Sequence, residues 1–176
     1  MNAPAIASRP LAILGTGHAL PERIVTSKEL DHQLGFPLGR VFKVGGVKKR
    51  HFAGLDDNAA KLGARAARKA LAAANLSLDD IDCLVAASGT MDQSMPCNAA
   101  MIYKELGEFD TVLPAFDINA SCMSFITALD ILSWPIAAGR YRRVLIVSSD
   151  IASCGLDWAH LEASAIFGDG AAAAVV

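Results

Sequence analysis

Short apolar runs of strand length alternate along this chain with segments of helix length, and that alternation constrains the fold more than any other feature. The run Ile81 to Ala87 is the most telling. It is apolar at nearly every position, which predicts a strand covered on both faces, as in a parallel sheet held between helices. Leu11 to Gly15, Val112 to Ile118, Arg143 to Ser149 and Ala171 to Val176 read as further strands. Helices are predicted from Thr26 to Leu34, from a cap at Asp56 or Asp57 to about Ala74, from Asn98 to Leu106 and from Met123 to Ala138. Strands alternating with helices imply a three-layer α/β architecture with a mainly parallel sheet and right-handed crossovers. Sites in such sheets form beyond the C-terminal ends of the strands, where the loop Ser88 to Pro96 falls.

The helical segments carry different patterns. Thr26 or Ser27 caps the first, with Glu29 available for a capping box, and Gly35 and Pro37 end it. In the second, Leu62, Ala66, Ala70 and Ala73 form an apolar stripe opposite Lys61, Arg65, Arg68 and Lys69. Its small alanines allow a close approach to a sheet. The segment Met123 to Ala138 has Asp130 as its single charged residue, and a helix apolar all round is expected to be buried all round. Before these, Gly39 to Gly54 is glycine-punctuated and basic, and reads either as a solvated loop or as a contact for ligand phosphates. Gly15-Thr16-Gly17-His18 reads as a turn that only begins a GxG pattern. A dinucleotide fingerprint would place a glycine where Leu20 stands, and Pro21 interrupts the helix that should follow, so nucleotide binding there is rejected.

With 176 residues the chain is long enough for one domain with a real core. Apolar residues make up 53% and charged residues 19%, which predicts apolar surface that meets another chain. A net charge of -2 with scattered basic residues leaves no footprint for nucleic acid or an anionic membrane. The 4 cysteines, Cys83, Cys97, Cys122 and Cys154, show neither CxxC nor zinc-ligand spacing, so no metal is expected, and free thiols fit a reducing cytoplasm. The first ten residues read as a frayed start without a targeting pattern, and no apolar run is long enough to span a membrane.

The strand that begins at Val112 runs into Asp117-Ile118-Asn119-Ala120-Ser121-Cys122, with a helix immediately behind it. Cys122 therefore falls at a strand-to-helix turn, facing the positive end of the helix. Unpaired N–H groups and the macrodipole there favour a thiolate, the nucleophilic form. The alternative reading is a small buried hydrophobe, the usual fate of a free cysteine. From this stretch alone the second reading is the stronger.

Several separated stretches resemble, in order, the β-ketoacyl-acyl carrier protein synthase III group of the thiolase-fold condensing enzymes. They are Ile13 to Gly17 with Pro21-Glu22, Gly46-Val47-Lys48-Lys49-Arg50-His51, Pro114 to Cys122, and Phe167-Gly168-Asp169-Gly170-Ala171. The resemblance covers almost the whole chain and reverses the reading of Cys122. It implies a thiolase-like three-layer α/β/α half over residues 1–176, with a mainly parallel five-stranded sheet, an antiparallel last strand and the C-terminal half absent. By the same resemblance Cys122 is the acyl-accepting nucleophile, acting on an acyl-coenzyme A or acyl-acyl carrier protein before decarboxylative condensation with a malonyl unit on acyl carrier protein. No bound cofactor is implied, and the assembly implied is a homodimer or a pairing with a second thiolase-like half.

The resemblance also places substrate contacts. Well-studied members grip the adenine of the coenzyme with a tryptophan and an arginine, and those places here hold Arg40 and Val44. Met95 occupies the position that enters the acyl site of the neighbouring subunit. Met123-Ser124 follows the nucleophile where the family commonly has two very small residues, and the bulkier Met123 predicts a reshaped acyl pocket. A histidine and an asparagine come from the second half in family members, and none of His18, His32, His51 and His160 lies in that motif. The competing reading is a non-catalytic half that only pairs with another chain. A thiol-redox protein is disfavoured by the lack of CxxC spacing around Cys122.

Overall fold

A computed structural model describes residues 9–107 and 112–176; of the start expected to be frayed, residues 1–8 lie outside the described residues. Along the chain come β1 (Gly15–Ala19), β2 (Ile24–Thr26), α1 (Ser27–Gln33), α2 (Arg40–Gly45), β3 (Lys49–His51), α3 (Ala59–Ala74) and β4 (Cys83–Ala87). Then follow α4 (Asn98–Leu106), β5 (Ala115–Ile118), α5 (Ser124–Ala137), β6 (Val144–Asp150), α6 (Leu161–Ser164) and β7 (Gly170–Val175).

The main sheet has 5 strands in the order β1-β7-β6-β4-β5. β4 pairs in parallel with both β5 and β6, while β7 is antiparallel to β6 and to β1. This is the mainly parallel sheet with an antiparallel last strand that the resemblance implies. Every residue of β4 is buried, and its side chains alternate between the layers. Leu84 and Ala86, with Leu145 and Val147 of β6, pack with α3 and α4, while Cys83, Val85 and Ala87 pack with Ala128 and Leu132 of α5. Helices thus cover both faces in three layers.

The structure departs from the sequence reading in several places. The first strand is Gly15–Ala19 rather than Leu11 to Gly15, so the glycine pair lies within the strand instead of forming a turn. Both glycines back onto α3: a Cβ at Gly15 would stand 2.6 Å from the Ala70 oxygen. They are spaced for close packing, not for phosphate. Asn58, rather than Asp56 or Asp57, caps α3, its side chain accepting from Lys61 N at 2.8 Å. Leu71 joins the buried stripe of α3, and Ala73 is exposed. The third strand is confined to Ala115–Ile118.

The basic stretch Gly39 to Gly54 is not a plain loop. It contains α2 and β3, and β3 pairs antiparallel with β2 to form a small second sheet. Asp31, fully buried, anchors the start of α2 by accepting from Gly39 N at 2.6 Å and Val41 N at 2.8 Å. Arg50 is buried as well, and its Nη2 donates to Ala165 O at 2.8 Å and to Ser27 Oγ at 3.2 Å. A basic residue inside the run is thereby turned inward to join β3 to the end of α6.

The helix after Cys122 is covered on one face only. Ser124, Ala128, Leu132 and Ser133 of α5 are buried, whereas Ile126, Ile131 and Trp134 are exposed. Arg9 lies against this outer side, with its guanidinium 4.3 Å from the Trp134 ring centroid and 2.8 Å from Asp130. Burial all round, expected from composition, is therefore not reached with the described residues.

Candidate active site

The candidate site is built where β4, β5 and β6 end. Its turn starts at Asn119, directly after β5. Asn119 Oδ1 accepts the N–H of Ser121 at 2.9 Å, the local Asx bond that asparagine makes in turns. Its Nδ2 donates to Gly89 O at 3.4 Å, joining the turn to the loop after β4. Ser121 has a φ of 54°, in the left-handed region that glycine favours. Cys122 follows and is exposed. Within this chain the thiol is not a buried hydrophobe. Met123 is the N-cap of α5, with no side-chain cap bond, so the opening N–H groups of that helix lie beside Cys122 without a capping side chain.

Carboxylates fix the surrounding loops through backbone N–H groups. Asp117, on β5, accepts from Asn98 N at 2.9 Å and Ala99 N at 2.8 Å, setting the start of α4. Asp92 does the same for α3, accepting from Ala59 N at 2.9 Å and Ala60 N at 3.0 Å. At the end of β6, Asp150 Oδ1 accepts from Gly89 N at 2.9 Å and Thr90 N at 2.7 Å. The loop Ser88 to Pro96 is held at both ends, and Met95 projects from it with 85% of its surface exposed.

Cys122, Met123 and Met95 are thus brought to one edge of the sheet, at the ends of two paired parallel strands. Arg40 lies elsewhere, at the start of α2, with its guanidinium 3.9 Å from Glu162 of α6. Val44 packs against the apolar cluster that contains Val41 and Leu161. Cys83 is buried within β4, where desolvation pushes its thiol pKa up, and Cys97 is the N-cap of α4. Cys154 is exposed in the short turn of 3-10 helix after β6. Among the described residues, no group of three or more His, Cys, Asp and Glu side chains is placed to hold a metal ion, and no helix is long and apolar enough to cross a membrane.

Two stretches that are far apart in sequence prove to be neighbours. Asp169 N donates to His51 O at 2.8 Å, and the Asp169 carboxylate accepts from Ala53 N at 2.7 Å and Ser153 N at 2.8 Å. The Phe167 to Ala171 turn therefore rivets the small sheet to the end of β6. Sequence reasoning gives no structural role to Asn119, Asp117, Asp150 and Ser124. Of these, only Asn119 carried a local signal, as an asparagine two residues before a turn position.

A mainly parallel sheet with a thiol at the turn into its covering helix is the arrangement that the resemblance to a thiolase-like half implies. The family model for 3-oxoacyl-[acyl-carrier-protein] synthase III matches residues 116–176, a stretch that contains Cys122. The β-ketoacyl-[acyl-carrier-protein] synthase III of Ruegeria sp. is 36% identical over 166 residues, covering 94% of this chain and 51% of that protein. The crystal structure of 3-oxoacyl-[acyl-carrier-protein] synthase III from Aquifex aeolicus superposes with a TM-score of 0.85 at 32% identity, covering 93% of this chain and 52% of the other. The priming β-ketosynthase of the R1128 polyketide pathway gives 0.84 at 30% identity, over 98% and 52%. In sequence and fold the chain is similar to the N-terminal half of synthase III proteins. It spans about half the length of the relatives it matches.

Proposed function

We propose that this chain is the nucleophile-bearing half of a β-ketoacyl-acyl carrier protein synthase III-type acyltransferase, acting in fatty acid or polyketide initiation. The observation that carries the reading is the exposed Cys122 at the uncapped start of α5, inside the stretch that matches the family. The Cys122 thiolate attacks the carbonyl carbon of an acyl thioester. The carbon–sulfur bond to the donor breaks, the donor leaves as a thiol with the cysteine proton, and the acyl group stays on Sγ as a new thioester. The malonyl unit on acyl carrier protein then loses carbon dioxide. Its enolate carbon attacks the acyl-enzyme carbonyl and expels the Cys122 thiolate, giving a β-ketoacyl thioester. A thiolate suits both steps because it attacks well and leaves well. The Cys122 N–H serves as one oxyanion donor, a contribution typically worth about 2.7–4 kcal/mol.

Condensation also requires the histidine and asparagine of a second, related α/β half. The exposed outer face of α5, with Ile126, Ile131 and Trp134, is the surface that half would cover. The donor is gripped differently from well-studied members. Arg40 stands 3.9 Å from Glu162, and Val44, packed in an apolar cluster, lacks the charged group with which well-studied members grip the adenine, which favours an acyl carrier protein as donor. Met123 shapes the acyl pocket from within, and Met95 enters that of a neighbouring subunit.

The test is incubation with acyl-coenzyme A and with acyl-acyl carrier protein, read by intact mass, then addition of malonyl-acyl carrier protein. An acyl adduct that is absent in Cys122→Ala supports the proposal. No adduct with either donor supports the alternative, a non-catalytic half that only pairs with a second thiolase-like chain.

A further inference from the structure

We infer that Ser124 is a positioning residue for Cys122, its buried hydroxyl holding the left-handed turn from which the thiol is presented. The inference rests on Cys122 being the nucleophile. Ser124 opens α5 and is only 2% exposed. Its Oγ accepts the N–H of Ala120 at 2.9 Å and faces two carbonyl oxygens, that of Ser121 at 2.7 Å and that of Ser88 at 3.1 Å. A hydroxyl offers one proton and two lone pairs, so the group accepts from Ala120 and gives its one proton to the nearer carbonyl, that of Ser121, tying the turn to itself.

What it holds is a residue in an unfavourable conformation. Ser121 has a φ of 54° and a side chain, and the left-handed region crowds Cβ against the neighbouring carbonyl. Its two backbone polar groups are gripped from opposite sides. Asn119 Oδ1 takes the N–H at 2.9 Å, and the Ser124 hydroxyl meets the C=O. The second grip bears directly on the nucleophile. The Ser121 C=O and the Cys122 N–H belong to one planar peptide unit, so orienting the first orients the second. Ser124 therefore sets where the proposed oxyanion donor points and keeps the thiol beside the start of α5, where thiolate is favoured. Gly89 closes the arrangement: a Cβ there would stand 3.5 Å from the Ser121 carbonyl carbon, against which the turn rests.

The experiment compares the wild type, Ser124→Ala and the double variant Ser121→Gly/Ser124→Ala. Iodoacetamide alkylation of each cysteine is timed by peptide mass, with exposed Cys154 and buried Cys83 as internal controls. Loss of a hydrogen bond of this kind should slow Cys122 alkylation by about 3–10-fold relative to Cys154. Glycine takes the left-handed conformation without a Cβ clash, so Ser121→Gly should restore most of the lost rate, which repair of a mere packing defect would not do. Should Ser124→Ala unfold, as labelling of Cys83 would report, Ser124→Thr keeps the hydroxyl and should leave the Cys122 rate near wild type, and a slowed rate there overturns the inference. An unchanged Cys122 rate in Ser124→Ala overturns the inference, and so does a loss that Ser121→Gly leaves in place. Because no acyl donor is used, failure of acyl transfer leaves this result separately readable.

Discussion

Gly17 of β1 and Ala70 of α3 lie so close that a Cβ at position 17 would stand 2.5 Å from the Ala70 nitrogen. Gly15 repeats the approach one turn along, with a Cβ there 2.5 Å from Ala74 N. Gly17→Ala should therefore force β1 and α3 apart and lower stability by about 1–3 kcal/mol, the usual cost of overpacking a filled interior. Urea denaturation measures it, and an unchanged midpoint would mean that the helix is not seated on these glycines.

The entry to β6 predicts a pH dependence. Asp82 accepts the N–H of Arg142 at 2.6 Å and of Arg143 at 3.1 Å. The bond from Arg142 is the main cause that holds this carboxyl below its usual range, against partial desolvation. A carboxyl lowered by folding stabilises the native state above its unfolded value of about 3.9, and that contribution is lost as pH falls through the folded value. Asp82→Asn should thus narrow the difference in urea midpoint between neutral and acidic pH. A variant with the full wild-type acid loss would show that the clamp plays no part in it.

Strand β5 predicts assembly. It stands at an edge of the sheet, carries no lysine, and presents Phe116 with 37% of its surface exposed, while Val112 nearby is 96% exposed. Unprotected edges of this kind pair with another chain, and two copies joined through β5 about a two-fold axis would continue the sheet. Light scattering at micromolar concentration should give a dimer mass, and a monomer would contradict the pairing.

The sheet was legible in sequence where burial is uniform. β4 and α4 read clearly because continuous apolar runs and a terminal glycine leave few alternatives. The first strand lies later than its sequence reading because glycine serves turns and close packing alike, and only α3 reveals the second use. The basic stretch was misread for a related reason. Charge pattern reports solvation on average, but Arg50 turns inward to carbonyls supplied by Val47 and Ala165. Of the candidate site, the position of Cys122 at a strand-to-helix turn was legible in the sequence pattern. Ser124 and Asn119 were not, because a serine that bonds backbone three and four residues earlier looks, in sequence, like any other serine.

The central claim is that Cys122 carries the acyl group. Replacing Cys83, Cys97, Cys122 and Cys154 in turn by serine and measuring acyl loading by intact mass tests it most directly. Cys122→Ser should abolish the thioester adduct, while the other three variants keep it. Loading that survives Cys122→Ser but vanishes with Cys97→Ser or Cys154→Ser would contradict the account.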